Sequence, residues 1–121
     1  MPIPVTIADD SALSRKMIRR NLPEHWDAEI NEATNGKEAL LAVEAGKADV
    51  LFLDLQMPEM DGYQVLRTLR DHHEKTVVIV ISADIQPEAV ALVNSLGAFR
   101  FLKKPLVAAE LHKALSEVGL L

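Results

Sequence analysis

The sequence predicts an α/β fold: a doubly wound parallel sheet of five strands covered on both faces by five helices. Three observations carry this. Short apolar runs alternate with amphipathic stretches along the whole chain. The central runs are apolar throughout, as strands buried on both faces are. Alternating strands and helices with right-handed crossovers wind such a sheet in both directions.

Val5-Thr6-Ile7-Ala8 is the first apolar run and stops at Asp9-Asp10-Ser11. Ser11 suits a helix N-cap, with Leu13, Met17, Ile18 and Leu22 at helical spacing behind it and Pro23 ending the helix. Ala28 to Ala33 alternates, which predicts a more exposed strand. Asn35-Gly36 punctuates it, Lys37 to Ala45 reads as a helix, and Gly46 stands at its C-cap. Val50 to Leu53 is a continuous apolar run ending in Asp54. A loop from Leu55 to Gly62 precedes a helix carrying Val65, Leu66 and Leu69. Val77 to Ile81, all β-branched, is the strongest strand and ends at Ser82-Ala83-Asp84. Pro87 opens the next helix, where its missing N–H is no loss, and Gly97 closes it. Phe99 to Leu102 is a short strand before Lys103-Lys104-Pro105, and Ala108 to Val118 is the last helix.

The bulk properties narrow the function. The 121 residues suit one domain, and 49% hydrophobic content supports a real core. With no Cys, disulfides, thiol catalysis and thiolate metal sites are excluded. A net charge of −5 argues against direct nucleic-acid binding by this domain, though not by a separate domain of a longer chain. Nothing at the N-terminus resembles a signal peptide, and apolar runs such as Val77–Ile81 are too short for a bilayer. A cytoplasmic protein without membrane partners is expected.

Four apolar runs each end in a chemically capable group: Asp9-Asp10, Asp54, Ser82 and Lys104. Ligands of open parallel sheets sit beyond the carboxyl ends of the strands, so these groups are expected to share one cleft. Three carboxylates together repel unless cations neutralise them. Lys104 supplies one charge, and oxygen-only ligands favour Mg²⁺ or Mn²⁺ for the rest. A carboxylate in such a site can attack phosphorus to form an aspartyl phosphate.

Over essentially its whole length the chain resembles the receiver domains of two-component response regulators, including chemotaxis receivers. The segments that carry this are Ile7–Ser11, Leu53–Gly62, Ile81–Ala83 and Gly97–Pro105, in order and at the family's spacing. The resemblance implies the flavodoxin-like strand order 2-1-3-4-5. It implies a phosphoacceptor signalling switch that assists its own phosphotransfer and autodephosphorylation, not an enzyme acting on other molecules. Asp54 is the implied phosphoacceptor. Asp10 is implied as a direct Mg²⁺ ligand, with Asp9 helping through water and Gln56 lending its backbone carbonyl. Ser82 is the implied hydroxyl that moves to the phosphoryl group, Lys104 the matching lysine, and Phe101 the aromatic switch. The Lys104–Pro105 bond is usually cis in the family. The implied partners are a histidine kinase or histidine phosphotransfer protein and a downstream output protein or domain. A phosphorylation-dependent dimer is a further expectation. Residues 1–121 would form one receiver domain, alone or excised from a longer regulator. Leu106 departs from the family, where an aromatic is common, and Gln56 and Asp84 occupy positions that tune autodephosphorylation.

Other readings have their own signatures. A haloacid-dehalogenase-type hydrolase usually wants an acid two residues after its Asp nucleophile, where this chain has Gln56, and a cap domain. A flavodoxin-like cofactor binder needs a first loop rich in Ser, Thr and Gly, whereas Asp9-Asp10 repels phosphate. A degenerate receiver would lack some of the five site positions. Arg15, Lys16, Arg19 and Arg20 form a basic stripe, explained either by solvation or by docking to an acidic phosphodonor. Ile85, Val90, Phe101 and Leu106 are either core or an output surface. His25, His72, His73 and His112 show no ligand spacing and are expected at the surface.

Overall fold

The computed structural model describes residues 2–120. The elements run β1 (Ile3–Ala8), α1 (Ala12–Asn21), β2 (Ala28–Ala33), α2 (Gly36–Glu44), β3 (Val50–Leu53), α3 (Gly62–Asp71), β4 (Val77–Ser82), α4 (Pro87–Ser95), β5 (Arg100–Lys103) and α5 (Ala108–Glu117). All strand pairs are parallel, and the order is β2-β1-β3-β4-β5. The expected fold class and order are therefore observed.

Local chemistry sets the helix starts. The Ser11 side chain accepts from the Ser14 N–H at the head of α1, and Asn35 does the same for Glu38 at α2. Asp61 and Gln64 form a reciprocal capping box at α3, so that helix begins at Gly62 and the preceding loop is one residue shorter than expected. Pro87 opens α4 as expected.

Side chains alternate across β3. Val50 and Phe52 face α1 and α5 together with Val5, Ile7, Ile79 and Ile81. Leu51 and Leu53 face α2, α3 and α4 together with Ala8, Val78 and Val80. Each buried Val, Leu, Ile or Phe side chain among them contributes roughly 1.5–3 kcal/mol. Trp26, which had no expected role, packs on the α1–α5 side, and its indole N–H donates to the Leu120 carbonyl at 3.1 Å.

The face of α1 differs from expectation. Leu13 is 69% exposed and Met17 43% exposed, and Ile18 alone is fully buried on this helix. Ile18 and Leu22 face inward as the spacing suggested, but Ser14, not Leu13 or Met17, precedes them on that line.

Candidate functional site

Strand register builds the site. Ala8 of β1 pairs with Leu53 of β3, so the next residues, Asp9 and Asp54, emerge side by side where the strand order reverses. The Asp54 N–H donates to the Ala8 carbonyl at 2.9 Å, and the Asp9 N–H to the Ala33 carbonyl at 3.0 Å. Ser82 of β4 pairs with Lys103 of β5, and the Lys104 N–H donates to the Ser82 carbonyl at 2.9 Å. Lys104 thus leaves the edge of the sheet directed back over the site.

Asp9 is fully buried and Asp54 is 8% exposed. Both oxygens of Asp9 are occupied: Oδ1 accepts from the Ser11 N–H at 2.9 Å, and Oδ2 from Lys104 Nζ at 2.9 Å. Asp54 Oδ1 accepts from the Leu55 N–H at 2.8 Å, while Oδ2 lies 3.5 Å from Lys104 Nζ. Burial pushes the Asp54 carboxyl above its usual range; Lys104 opposes this, and the Asp9 charge adds to it. Burial pulls the Lys104 ammonium down, but hydrogen bonding to Asp9 and the Asp54 charge outweigh it and hold it above its usual value.

Asp10 is exposed at the rim. One carboxylate oxygen from each of Asp9, Asp10 and Asp54 lies within 4.8 Å of the others. An octahedral Mg²⁺ with bonds of about 2.1 Å spaces neighbouring ligands about 3 Å apart and opposite ones about 4.2 Å apart. The three oxygens therefore fit such an ion after a small contraction, and their all-oxygen character suits Mg²⁺ or Mn²⁺.

Two glycines hold the loop over this floor. A Cβ on Gly62 would lie 2.5 Å from the Asp54 carbonyl oxygen and 2.8 Å from Leu55 Cα. A Cβ on Gly36 would collide with the Met60 carbonyl, to which the Gly36 N–H donates at 3.0 Å.

Known proteins resemble this chain in sequence and in fold. The family profile "Response regulator receiver domain" matches residues 5–116. The chain belongs to the response-regulator receiver family. A protein-glutamate methylesterase/protein-glutamine glutaminase from Bacillus subtilis is 39% identical over 116 residues, covering 92% of this chain and 32% of that protein. The transcriptional regulatory protein BtsR of Escherichia coli K12 is 36% identical over 117 residues, covering 96% of this chain and 48% of that protein. The chain thus spans a third to a half of these two relatives. Among solved structures, the REC domain of AraT, a response regulator from Geobacillus stearothermophilus, is 33% identical with a TM-score of 0.84, covering 98% of this chain and 93% of that one. A CheX–CheY–BeF3–Mg²⁺ complex from Borrelia burgdorferi gives 29% identity and a TM-score of 0.87, covering 98% of this chain and 90% of that one. This is accordingly a receiver, a signalling switch of two-component systems, and it carries the acidic cluster at which receivers bind Mg²⁺. Receivers work with histidine kinases and output domains. No helix among the described residues is long and apolar enough to cross a membrane.

Asp9, Asp10, Asp54 and Lys104 are brought together. Ser82 is buried, and its hydroxyl accepts from the Asp84 N–H at 3.1 Å. Gln56 is exposed, and its backbone N–H helps hold the Asp54 carboxylate. Phe101 is half-buried against the α2–α4 side of the core. Lys104–Pro105 is cis.

The basic stripe is split. Arg15 and Arg19 both pair with Glu32 of β2, at 2.5 and 2.7 Å, and a second Arg15 nitrogen donates to the Asp9 carbonyl at 2.7 Å. Lys16 and Arg20 are exposed. His25, His72 and His73 lie at the surface, but His112 is half-buried with a ring nitrogen 2.9 Å from the Asn21 carbonyl. Sequence reading missed Ser14, whose hydroxyl accepts from Lys104 Nζ at 3.0 Å. Its signal was its position one helical turn after Asp10.

Proposed function

We propose that Asp54 accepts a phosphoryl group from a partner phosphohistidine, in a site where Asp9, Asp10, Asp54 and the Gln56 carbonyl hold Mg²⁺ or Mn²⁺. The observation that carries this is the pairing of Asp54 with Lys104 inside a three-carboxylate cluster at the strand ends. An Asp54 carboxylate oxygen forms the new P–O bond as the P–N bond to imidazole breaks. The imidazole leaves with that electron pair and takes a proton from water. When bound, the cation neutralises charge on the transferring group. Lys104 supplies a further positive charge to the same oxygens. Hydrolysis of the acyl phosphate by water restores Asp54 and releases inorganic phosphate. The Borrelia complex supports the reading, since its name records Mg²⁺ with a beryllofluoride, a tetrahedral phosphoryl mimic.

Ser82 then turns to the phosphoryl oxygens and Phe101 fills the space it leaves. The outcome is a changed face over α4, β5 and α5, where Ile85, Leu92 and Val107 are exposed. That face takes an output protein, an output domain of a longer chain, or a second phosphorylated copy. The donor, a histidine kinase or histidine phosphotransfer protein, docks beside the site on α1, where Leu13, Lys16, Met17 and Arg20 are exposed. Residues 1–121 act as one receiver unit in the cytoplasm.

Incubation with acetyl phosphate and Mg²⁺, read by intact mass, is expected to add one phosphoryl group that is lost in alkaline hydroxylamine. Asp54→Asn protein labelled at the wild-type rate refutes the assignment.

A further inference from the structure

We propose that Ser14 is a positioning residue for Lys104, an inference that rests on the phosphoacceptor reading of Asp54. The Lys104 ammonium has three N–H donors and three nearby acceptors. It donates to Asp9 Oδ2 at 2.9 Å and to Ser14 Oγ at 3.0 Å, and it lies 3.5 Å from Asp54 Oδ2.

These acceptors are not equivalent. Two are carboxylates of the cluster that fits a divalent cation. A cation there draws on the same oxygens and repels the ammonium. The Ser14 hydroxyl is neutral and stands outside that cluster, so it remains an acceptor whatever the charge beside it.

The hydroxyl is also rigidly mounted. Ser14 lies in the first turn of α1, where its N–H donates to the Ser11 side chain at 3.2 Å. The next residue, Arg15, donates from its backbone to the Ser11 carbonyl at 3.0 Å and from its side chain to the Asp9 carbonyl at 2.7 Å. The helix is thereby tied to the loop that carries the carboxylates. Lysine has a flexible four-carbon stem, and the Lys104 side chain keeps 25% of its surface exposed. Ser14 restricts where that ammonium can sit before a phosphoryl group arrives, which is preorganisation of the charge that stabilises the transfer.

The test uses the full chain with acetyl phosphate, which needs no docked protein donor, and follows labelling by intact mass across a Mg²⁺ titration. Ser14→Ala keeps the Ser11 cap, because that bond uses the Ser14 backbone. It is expected to slow labelling at saturating Mg²⁺ by about 3- to 10-fold, as for loss of one partly exposed charge-assisted hydrogen bond. The Mg²⁺ half-saturation point is expected to stay unchanged, and Ser14→Thr to recover most of the rate. An unaltered rate in Ser14→Ala overturns the proposal. So does a fall that Ser14→Thr does not recover, or one explained by a shifted Mg²⁺ half-saturation. Wild-type protein that labels no better than Asp54→Asn removes the phosphoacceptor reading itself, and Ser14's role with it.

Discussion

Replacing Lys104 with methionine keeps the stem but removes the ammonium that Asp9 and Asp54 share. Breaking a buried ion pair leaves an uncompensated charge and costs about 3–5 kcal/mol, whereas an exposed pair is worth about 0–1 kcal/mol. Asp9 is fully buried, but the Lys104 side chain is 25% exposed, which places this pair between the two cases. We expect a loss of about 2–3 kcal/mol in metal-free buffer. At roughly 2.1 cal/mol/K per residue, the 121-residue chain unfolds with about 250 cal/mol/K, so the loss lowers Tm by about 8–12 °C. Thermal and urea unfolding with EDTA measure it. Saturating Mg²⁺ should narrow the gap between variant and wild type, because a cation on the same carboxylates replaces much of the lost charge. A gap below about 1 kcal/mol in EDTA refutes the buried-pair reasoning. A gap that Mg²⁺ leaves unchanged refutes the idea that cation and ammonium serve the same carboxylates.

Because burial raises the Asp54 pKa in the folded state, the native protein holds that proton more tightly than the unfolded chain does. The stability associated with Asp54 is therefore full below the unfolded pKa and falls as pH rises through the folded one. In EDTA, Asp54→Asn should match wild type in Tm at low pH and exceed it increasingly as pH rises past the ordinary carboxylate range; a constant difference across pH contradicts this. Gly62→Ala puts a methyl group against the Asp54 and Leu55 backbone and should destabilise by about 1–3 kcal/mol, while also slowing labelling from acetyl phosphate. Wild-type labelling in that variant shows that the close approach is not needed for the site. Glu32→Gln removes the partner of Arg15 and Arg19, both at least partly solvated, and should lower stability by no more than about 1 kcal/mol, less at high salt. Chemical denaturation at two ionic strengths checks it.

The parts of this molecule legible in its sequence are those fixed by strand geometry. Asp9, Asp54, Ser82 and Lys104 each follow an apolar run, and parallel register then converts run ends into neighbours. Helix faces were less legible. Leu13 and Met17 have the right spacing for a buried stripe, but spacing alone does not say which stripe meets the sheet. The stripe that does includes Ser14, a polar residue at the position nearest the site, because the inward face of α1 there meets Lys104 instead of the core. The basic stripe was legible only in part: Lys16 and Arg20 are solvated, but Glu32 lies on a separate strand, so its capture of Arg15 and Arg19 depends on tertiary contacts invisible to local charge pattern. Gly36 and Gly62 read as turn punctuation, yet their role is to let the backbone around Met60 and Asp54 approach.

The proposed switch needs a physical link from Asp54 to α4, and the Ser82 hydroxyl offers one. Its oxygen accepts from the Asp84 N–H at 3.1 Å, which leaves its own proton free for a phosphoryl oxygen. Asp84 Oδ1 in turn accepts from the Gln86 N–H at 3.2 Å, immediately before α4 begins at Pro87. Movement of Ser82 toward a phosphoryl group at Asp54 therefore pulls a hydrogen-bonded turn that ends at the helix. Exposed Ile85 sits within that turn, so its surroundings change with it. Ser82→Ala breaks the first link and leaves Asp54 and the carboxylates in place. Such a protein should still take up a phosphoryl group from acetyl phosphate with Mg²⁺, but its amide hydrogen exchange over residues 83–96 should respond to labelling far less than wild type does. If that segment responds equally in both proteins, the signal does not travel through Ser82, and the coupling between Asp54 and α4 must run by another route.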